Sequence, residues 1–280
     1  VNDLEELIAL LDLEQIEVNI FRGTQPLNES RQRVFGGQVA AQALAAAGRT
    51  VDVGDVHSLH SYFLRPGDPE IPILYEVDRI RDGRSFTTRR VVAIQHGRAI
   101  FNMQTSFHKA ETGPEHQFTM PDVPPPEEVP SLRDRLAGSE DLLREYDARS
   151  HPIDQRFIGE VSWSGRQREP FQRLWLRADG LLGDDQLLHS CVATYASDMS
   201  LLDTVLAPHT IRWEDGRSMV ASLDHCMWFH RSFRADDWLL FDTDSPEASG
   251  ARGIARGFFY DRTGNLCVSM VQEGLTRVLD

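Results

Sequence analysis

Two polar side chains interrupt apolar rows in this chain, and a hydroxyl stands near them in the sequence. Between residues 185 and 206, Leu188, Cys191, Val192, Tyr195, Met199, Leu202 and Leu206 recur at three- and four-residue steps. That spacing is one apolar face of an α-helix. Asp184 or Asp185 can cap its start, and Pro208 stops it. On this wheel Asp198 falls about 60° from Tyr195, inside the arc between Leu187 and Val192. A carboxylate there is costly unless paired or hydrogen-bonded. Either the edge of the arc is wet, or the helix bends at Asp198, or the chain holds a reactive carboxylate.

The second interruption is Gln272, which continues the row Leu266, Val268, Met270 on a strand. Either that row reaches water at its end, or the amide is part of a polar pocket. The hydroxyl is Ser222, on the more polar row of a strand spanning 217–231. A carboxylate can take a proton, and an amide with a hydroxyl can hold a water molecule by donating and accepting hydrogen bonds.

Other chemistries find less support. Asp224 and His225 are neighbours on one strand and face opposite ways, so they form no simple dyad and no serine triad. The histidines lack HxH or HExxH spacing, and neither GxGxxG, GxxxxGK[ST] nor GxSxG occurs. His57 and His60 read as structural. The arginines at 79, 81, 84, 89 and 90, and again at 252 and 256, could meet phosphates, but a solvated strand face with cross-strand salt links is the commoner meaning.

The elements that must position these groups follow a repeated plan. A short amphipathic helix over 3–12 and a strand over 15–22 come first. Gly36 and Gly37 then open a helix of small residues, Val39 to Ala47, whose alanines suit close burial. The N–H groups at such a helix start could bind an oxyanion or a phosphate, though a purely steric role is the commoner meaning of a lone glycine pair. Strands follow over 57–65, 72–81, 84–95 and 99–109, with turns at Pro66-Gly67-Asp68, Asp82-Gly83 and His96-Gly97. Five prolines between 121 and 130 and a charged run to 149 mark a linker that could carry a short helix. The second half repeats the plan: a strand over 171–178, the helix with Asp198, then strands over 217–231, 236–244, 249–260 and 265–277. Tyr62-Phe63-Leu64-Arg65 matches Trp228-Phe229-His230-Arg231 in pattern. This implies duplication of one helix-plus-sheet unit, with the two units joined along a sheet edge and a ligand lying between them. The expected division is a first repeat over 1–112, a linker over 113–160, and a second repeat over 161–280 that carries the three polar residues.

Composition sets limits on partners. The 280 residues are 41% hydrophobic and 26% charged, with material for a full core. A net charge of −14 argues against nucleic acid and acidic membranes, and no apolar run approaches the length of a membrane span. Cys191, Cys226 and Cys267 are widely spaced among apolar residues, which suggests core packing in a reducing compartment. The acidic start lacks the basic flank of a signal peptide, and Arg277-Val278-Leu279-Asp280 is no peroxisomal address, so the expected location is the cytoplasm.

Several motifs together resemble a known family. They are Phe35-Gly36-Gly37-Gln38, the block from Val56 to Asp68, Arg81-Asp82-Gly83-Arg84-Ser85-Phe86, Tyr195-Ala196-Ser197-Asp198, the block from Asp224 to Arg231, and Val271-Gln272-Glu273-Gly274. Their order and spacing resemble acyl-CoA thioesterase II, the TesB-type enzymes, from near residue 4 to near 276. The resemblance implies an α+β double hotdog fold: two repeats, each a long central helix wrapped by an antiparallel sheet. It implies hydrolysis of fatty acyl-CoA to free acid and CoA without a cofactor, and further assembly into homodimers or tetramers. The family's catalytic Asp, Thr and Gln fall by motif on Asp198, Ser222 and Gln272. Serine stands where the family usually has threonine, so the hydroxyl survives and the methyl that stiffens χ1 does not. The rival readings are a hotdog enoyl-CoA hydratase and a non-catalytic acyl-CoA-binding module.

Overall fold

The structure is a computed structural model that describes residues 3–26, 32–160, 167–209 and 218–279. Helix α1 (Asp3–Leu11) places Asp3, Glu5 and Glu6 in its first turn, where the helix dipole favours them, and buries Leu4, Leu7, Leu10 and Leu11. The expected strand over 15–22 is a hairpin instead, β1 (Glu14–Glu17) and β2 (Ile20–Gly23), turning at Val18 and Asn19. Helix α2 (Gly36–Gly48) is buried from Gly37 to Ala47, as its small residues require for sheet and helix to pack around it. Strands β3 (Asp55–Phe63), β4 (Ile73–Asp82), β5 (Phe86–Gln95) and β6 (Arg98–His108) complete the first repeat.

The second repeat contains β7 (Ile153–Ile158), β8 (Phe171–Ala178), α5 (Gln186–Ser197) and α6 (Leu201–Leu206). These are followed by β9 (Ser218–Ser222), β10 (Asp224–Phe229), β11 (Leu239–Ser249), β12 (Arg252–Asp261) and β13 (Leu266–Val278). The strands form one antiparallel sheet in the order β1-β2-β4-β5-β6-β3-β10-β13-β12-β11-β8-β7, with β9 also paired to β13. The second half runs through the order of the first in reverse. The join is β3 with β10, where His60 lies opposite Cys226. Because Tyr62 matches Trp228 in the repeat, His60 and Cys226 are counterparts, and a pseudo-twofold axis passes between them. Helices α2 and α5 pack side by side against the sheet.

Several expectations are corrected. The single helix over 185–206 is two helices, since the chain turns at residues 198–200, which is the bend at Asp198 that the sequence left open. The strand over 217–231 breaks at Leu223, and residue 217 lies outside the described residues. Strand β7 falls within the stretch read as linker and pairs with β8. The proline-rich stretch itself is a packed strap that leads into helices α3 (Leu132–Leu136) and α4 (Glu140–Asp147), each capped by a serine, Ser131 and Ser139. Trp175 Nε1 donates to the Pro124 carbonyl at 2.8 Å. Val129 packs with Trp175, Trp238, Leu240, Tyr260 and Leu266 on the outer face of the second repeat. Arg89 is no solvated surface residue either: it is 1% exposed and donates to Thr50 and Asp82. Among the described residues no helix is long and apolar enough to cross a membrane.

Candidate active site

Asp185 caps α5, its carboxylate accepting the Leu187 N–H at 2.9 Å. At the other end Asp198 is the C-cap, with φ −84° and ψ −6°. There the chain leaves the helix and re-enters it at Leu201, so the apolar pattern continues while the axis changes. The turn aims the Asp198 carboxylate towards β13 and β9. Its Oδ1 accepts Gln272 Nε2 at 2.6 Å and Ser222 Oγ at 3.4 Å. The three residues singled out by sequence are thus brought together.

Gln272 is fully buried, so its apolar row does not end in water. Its Oε1 is buried as well and has no hydrogen-bond partner. An acceptor in that state calls for a donor from a ligand or water.

Ser222 reaches the site because of the break at Leu223. In β10 the inward residues are His225, Met227 and Phe229; in β9 they are Val220 and, two positions on, Ser222. The inward parity changes from odd to even across Leu223. Simple alternation through 217–231 placed Ser222 away from the core, and the structure overturns that.

The opposite wall belongs to the first repeat. A Cβ built on Gly36 would lie 2.8 Å from Asp198 Oδ2 and 2.9 Å from the Phe63 ring, and one on Gly37 would lie 2.6 Å from the Tyr195 carbonyl. Only glycine tolerates this approach. Phe35 caps α2 without any side-chain hydrogen bond, and its ring packs edge-on to Tyr195 with 5.0 Å between centroids. The start of α2, whose first N–H groups have no partner within the helix, therefore lies beside the carboxylate. Sequence reading found the glycine pair but not its neighbour, because the contact crosses from one repeat to the other.

Two adjacent residues complete the surroundings. Asp224 accepts the Glu273 N–H at 2.7 Å, and burial pushes its carboxyl up. His225 is 1% exposed, and burial pushes its imidazole down to about 4, which keeps it neutral. The cysteines are packing groups: Cys191 and Cys267 are buried, Cys226 is half-buried, and burial raises all three thiols.

Two helix-and-sheet units fused along one sheet edge, with a carboxylate, an amide and a hydroxyl gathered where they meet, define a double hotdog protein. A protein of unknown function with a hot dog fold from Alicyclobacillus acidocaldarius shares this fold, with a TM-score of 0.79 over 98% of both chains at 18% identity. Residues 24–108 match the acyl-CoA thioesterase N-terminal domain, and residues 142–275 match the acyl-CoA thioesterase family. Human acyl-coenzyme A thioesterase 8 is 44% identical over 99% of this chain and 91% of its own length. The acyl-CoA thioesterase II TesB2 of Mycobacterium marinum is 42% identical and superposes with a TM-score of 0.80 over 97% of both chains. The chain belongs to the acyl-CoA thioesterase family, whose members are thioester hydrolases.

Proposed function

We propose that this chain hydrolyses fatty acyl-CoA to free acid and CoA, with Asp198, Gln272 and Ser222 positioning the attacking water. The observation that carries the reading is the part-buried 2.6 Å contact from Gln272 Nε2 to Asp198 Oδ1, which leaves Gln272 Oε1 as an unused acceptor. A water donating one hydrogen to Gln272 Oε1 and the other to Asp198 Oδ2 has an oxygen lone pair directed at a thioester carbonyl. Asp198 takes the proton as the oxygen–carbon bond forms. The negative charge moves to the carbonyl oxygen, where the N–H groups opening α2 at Gly36 and Gly37 stabilise it. Collapse breaks the carbon–sulfur bond, and Asp198 returns its proton to the departing CoA sulfur. Phe35, Phe63 and Tyr195 beside the carboxylate suit an apolar acyl chain.

The test is thiol release from a panel of acyl-CoA chain lengths, followed by a single turnover in oxygen-18 water. Label in the product acid alone is expected. Label in the enzyme carboxylate would instead mean direct attack by Asp198 through a mixed anhydride.

In this reading residues 1–112 are the first repeat, the second begins with β7 at Ile153 and runs to 280, and the stretch from 113 to 152 joins them. The protein is cytoplasmic and assembles as a homodimer or tetramer, a mass that light scattering measures directly.

A further inference from the structure

The stretch from Ser222 to His225 does more than contribute a hydroxyl. At the break, the Leu223 N–H donates to the Glu273 carbonyl at 2.9 Å, and its carbonyl accepts the Phe63 N–H at 2.9 Å. The next residue, Asp224, takes the other backbone group of Glu273, its Oδ1 accepting that N–H at 2.7 Å. Glu273 directly follows Gln272. The strand carrying the amide is thus held through both backbone groups of one residue, Glu273, at the point where the break interrupts the regular ladder.

His225 points the opposite way, into the core. Its Nε2 lies 2.8 Å from Ser197 Oγ, and Ser197 Oγ donates to the Thr194 carbonyl at 2.9 Å. A serine hydroxyl has one hydrogen. With that hydrogen on Thr194, the imidazole must be the donor, which fixes its Nε2–H tautomer. The His225 carbonyl in turn accepts Ser61 Oγ from β3 at 2.8 Å, tying the residue to the seam between repeats. Ser197 directly precedes Asp198, at the last turn of α5, where helices fray unless held.

We propose that Asp224 and His225 are positioning residues: Asp224 sets Gln272 through Glu273, and His225 sets Asp198 through Ser197. One dipeptide, with its two side chains on opposite faces of β10, fixes the carboxylate–amide pair from both partners. The same opposition that rules out a catalytic dyad suits this division of labour. The cost supports it. His225 is buried and Asp224 half-buried at the expense of their charged forms, and an apolar pair would pack there without that penalty. This inference rests on Asp198 and Gln272 being the hydrolytic pair.

The experiment is steady-state hydrolysis of decanoyl-CoA by the full chain. Asp224→Ala and His225→Phe are expected to lower kcat by about 10- to 100-fold, the scale of a small misplacement of reacting groups, with KM within about twofold. Asp224→Asn keeps an oxygen for the Glu273 N–H, and His225→Gln keeps a donor for Ser197; both should recover most of the rate. Ser197→Ala should match His225→Phe, and the double variant should fall no further than the worse single.

Unchanged kcat in folded Ser197→Ala, or losses that multiply in the double variant, overturns the role of His225. Unchanged kcat in Asp224→Ala, or equal loss in Asp224→Asn, overturns that of Asp224. If His225→Phe does not fold, Ser197→Ala and His225→Gln decide its arm. Asp198→Asn in the same assay separates the two readings: full activity there removes the hydrolytic pair and the positioning with it, whereas its collapse beside unaffected positioning variants overturns the positioning alone.

Discussion

Gly36 and Asp198 come from different repeats, and a Cβ on the first would stand 2.8 Å from a carboxylate oxygen of the second. The contact leaves no room for a methyl group, and the Phe63 ring closes the other side at 2.9 Å. Gly36→Ala should therefore displace the carboxylate or the helix start. A kcat loss of about 100-fold, with circular dichroism close to that of wild type, is the expected result. Wild-type kcat in that variant would show that the wall can yield and that the approach is not needed.

Asp198→Asn keeps the oxygen that accepts Gln272 Nε2 but removes the proposed base. The fold should hold while kcat drops by about 10²- to 10⁴-fold. Thiol release under saturating acyl-CoA measures this directly, and a loss under tenfold would remove Asp198 from proton transfer.

Ser222 makes the longer contact, 3.4 Å to Asp198 Oδ1. A hydrogen bond of that length contributes at most about 1 kcal/mol, so Ser222→Ala should cost about fivefold in kcat. Ser222→Thr keeps the hydroxyl and adds the methyl that limits χ1. A rate equal to or above wild type is expected; a large loss would mean that the added methyl meets substrate.

The buried His225 makes stability fall in acid. Folded, it titrates near 4, against 6.5 for an exposed imidazole. Between those values the unfolded chain holds a proton that the folded chain lacks. Stability from this group is full above about pH 6.5 and drops by about 3 kcal/mol as pH falls to 4. Burial lowers His57 and His230 too, adding to the slope. Melting curves of wild type and His225→Gln across pH 4 to 7 isolate the His225 share, since the glutamine does not titrate. Parallel curves would show that His225 is not buried neutral.

The three cysteines should be silent towards Ellman's reagent in the native protein. Cys191 and Cys267 are enclosed, burial pushes Cys267 up to about 11, and Cys226 is raised as well. The thiol titre should rise from near zero to three on denaturation. Fast native reaction would contradict the packing, and it would also add background to the hydrolysis assay.

Much of this was legible in the sequence, for identifiable reasons. Strand alternation and the match of Tyr62 with Trp228 gave the duplication and the joined edge, since periodicity and repeats are local signals. Asp198 and Gln272 stood out because each broke an apolar row. The break at Leu223 left no such trace, and the turn at 198–200 shows in the sequence only through Asp198 itself, whose place on the wheel allowed a bend there. Met199, Leu202 and Leu206 keep the helical spacing across the turn at 198–200, and residues 217–231 keep alternating past Leu223. Neither break carries a glycine or proline. The approach of Gly36 to Asp198, the burial of Arg89 under Thr50, and the strap that gives Pro124 to Trp175 all depend on tertiary contacts between segments far apart in the chain.

The strap has a consequence for how the chain could be divided. Its anchoring to the second repeat begins at Glu115, which pairs with Arg231, and continues at Gln117, whose amide spans Gly264 and Leu266, while residues 109–114 before them are exposed. A cut there severs neither the β3–β10 seam nor the α2–α5 contact. The gene could then be split into two cistrons, one encoding Gly36 and the other Asp198, with neither product forming a whole site. Separately purified halves should be inert and regain hydrolysis on mixing. Activity in either half alone would place the chemistry within a single repeat.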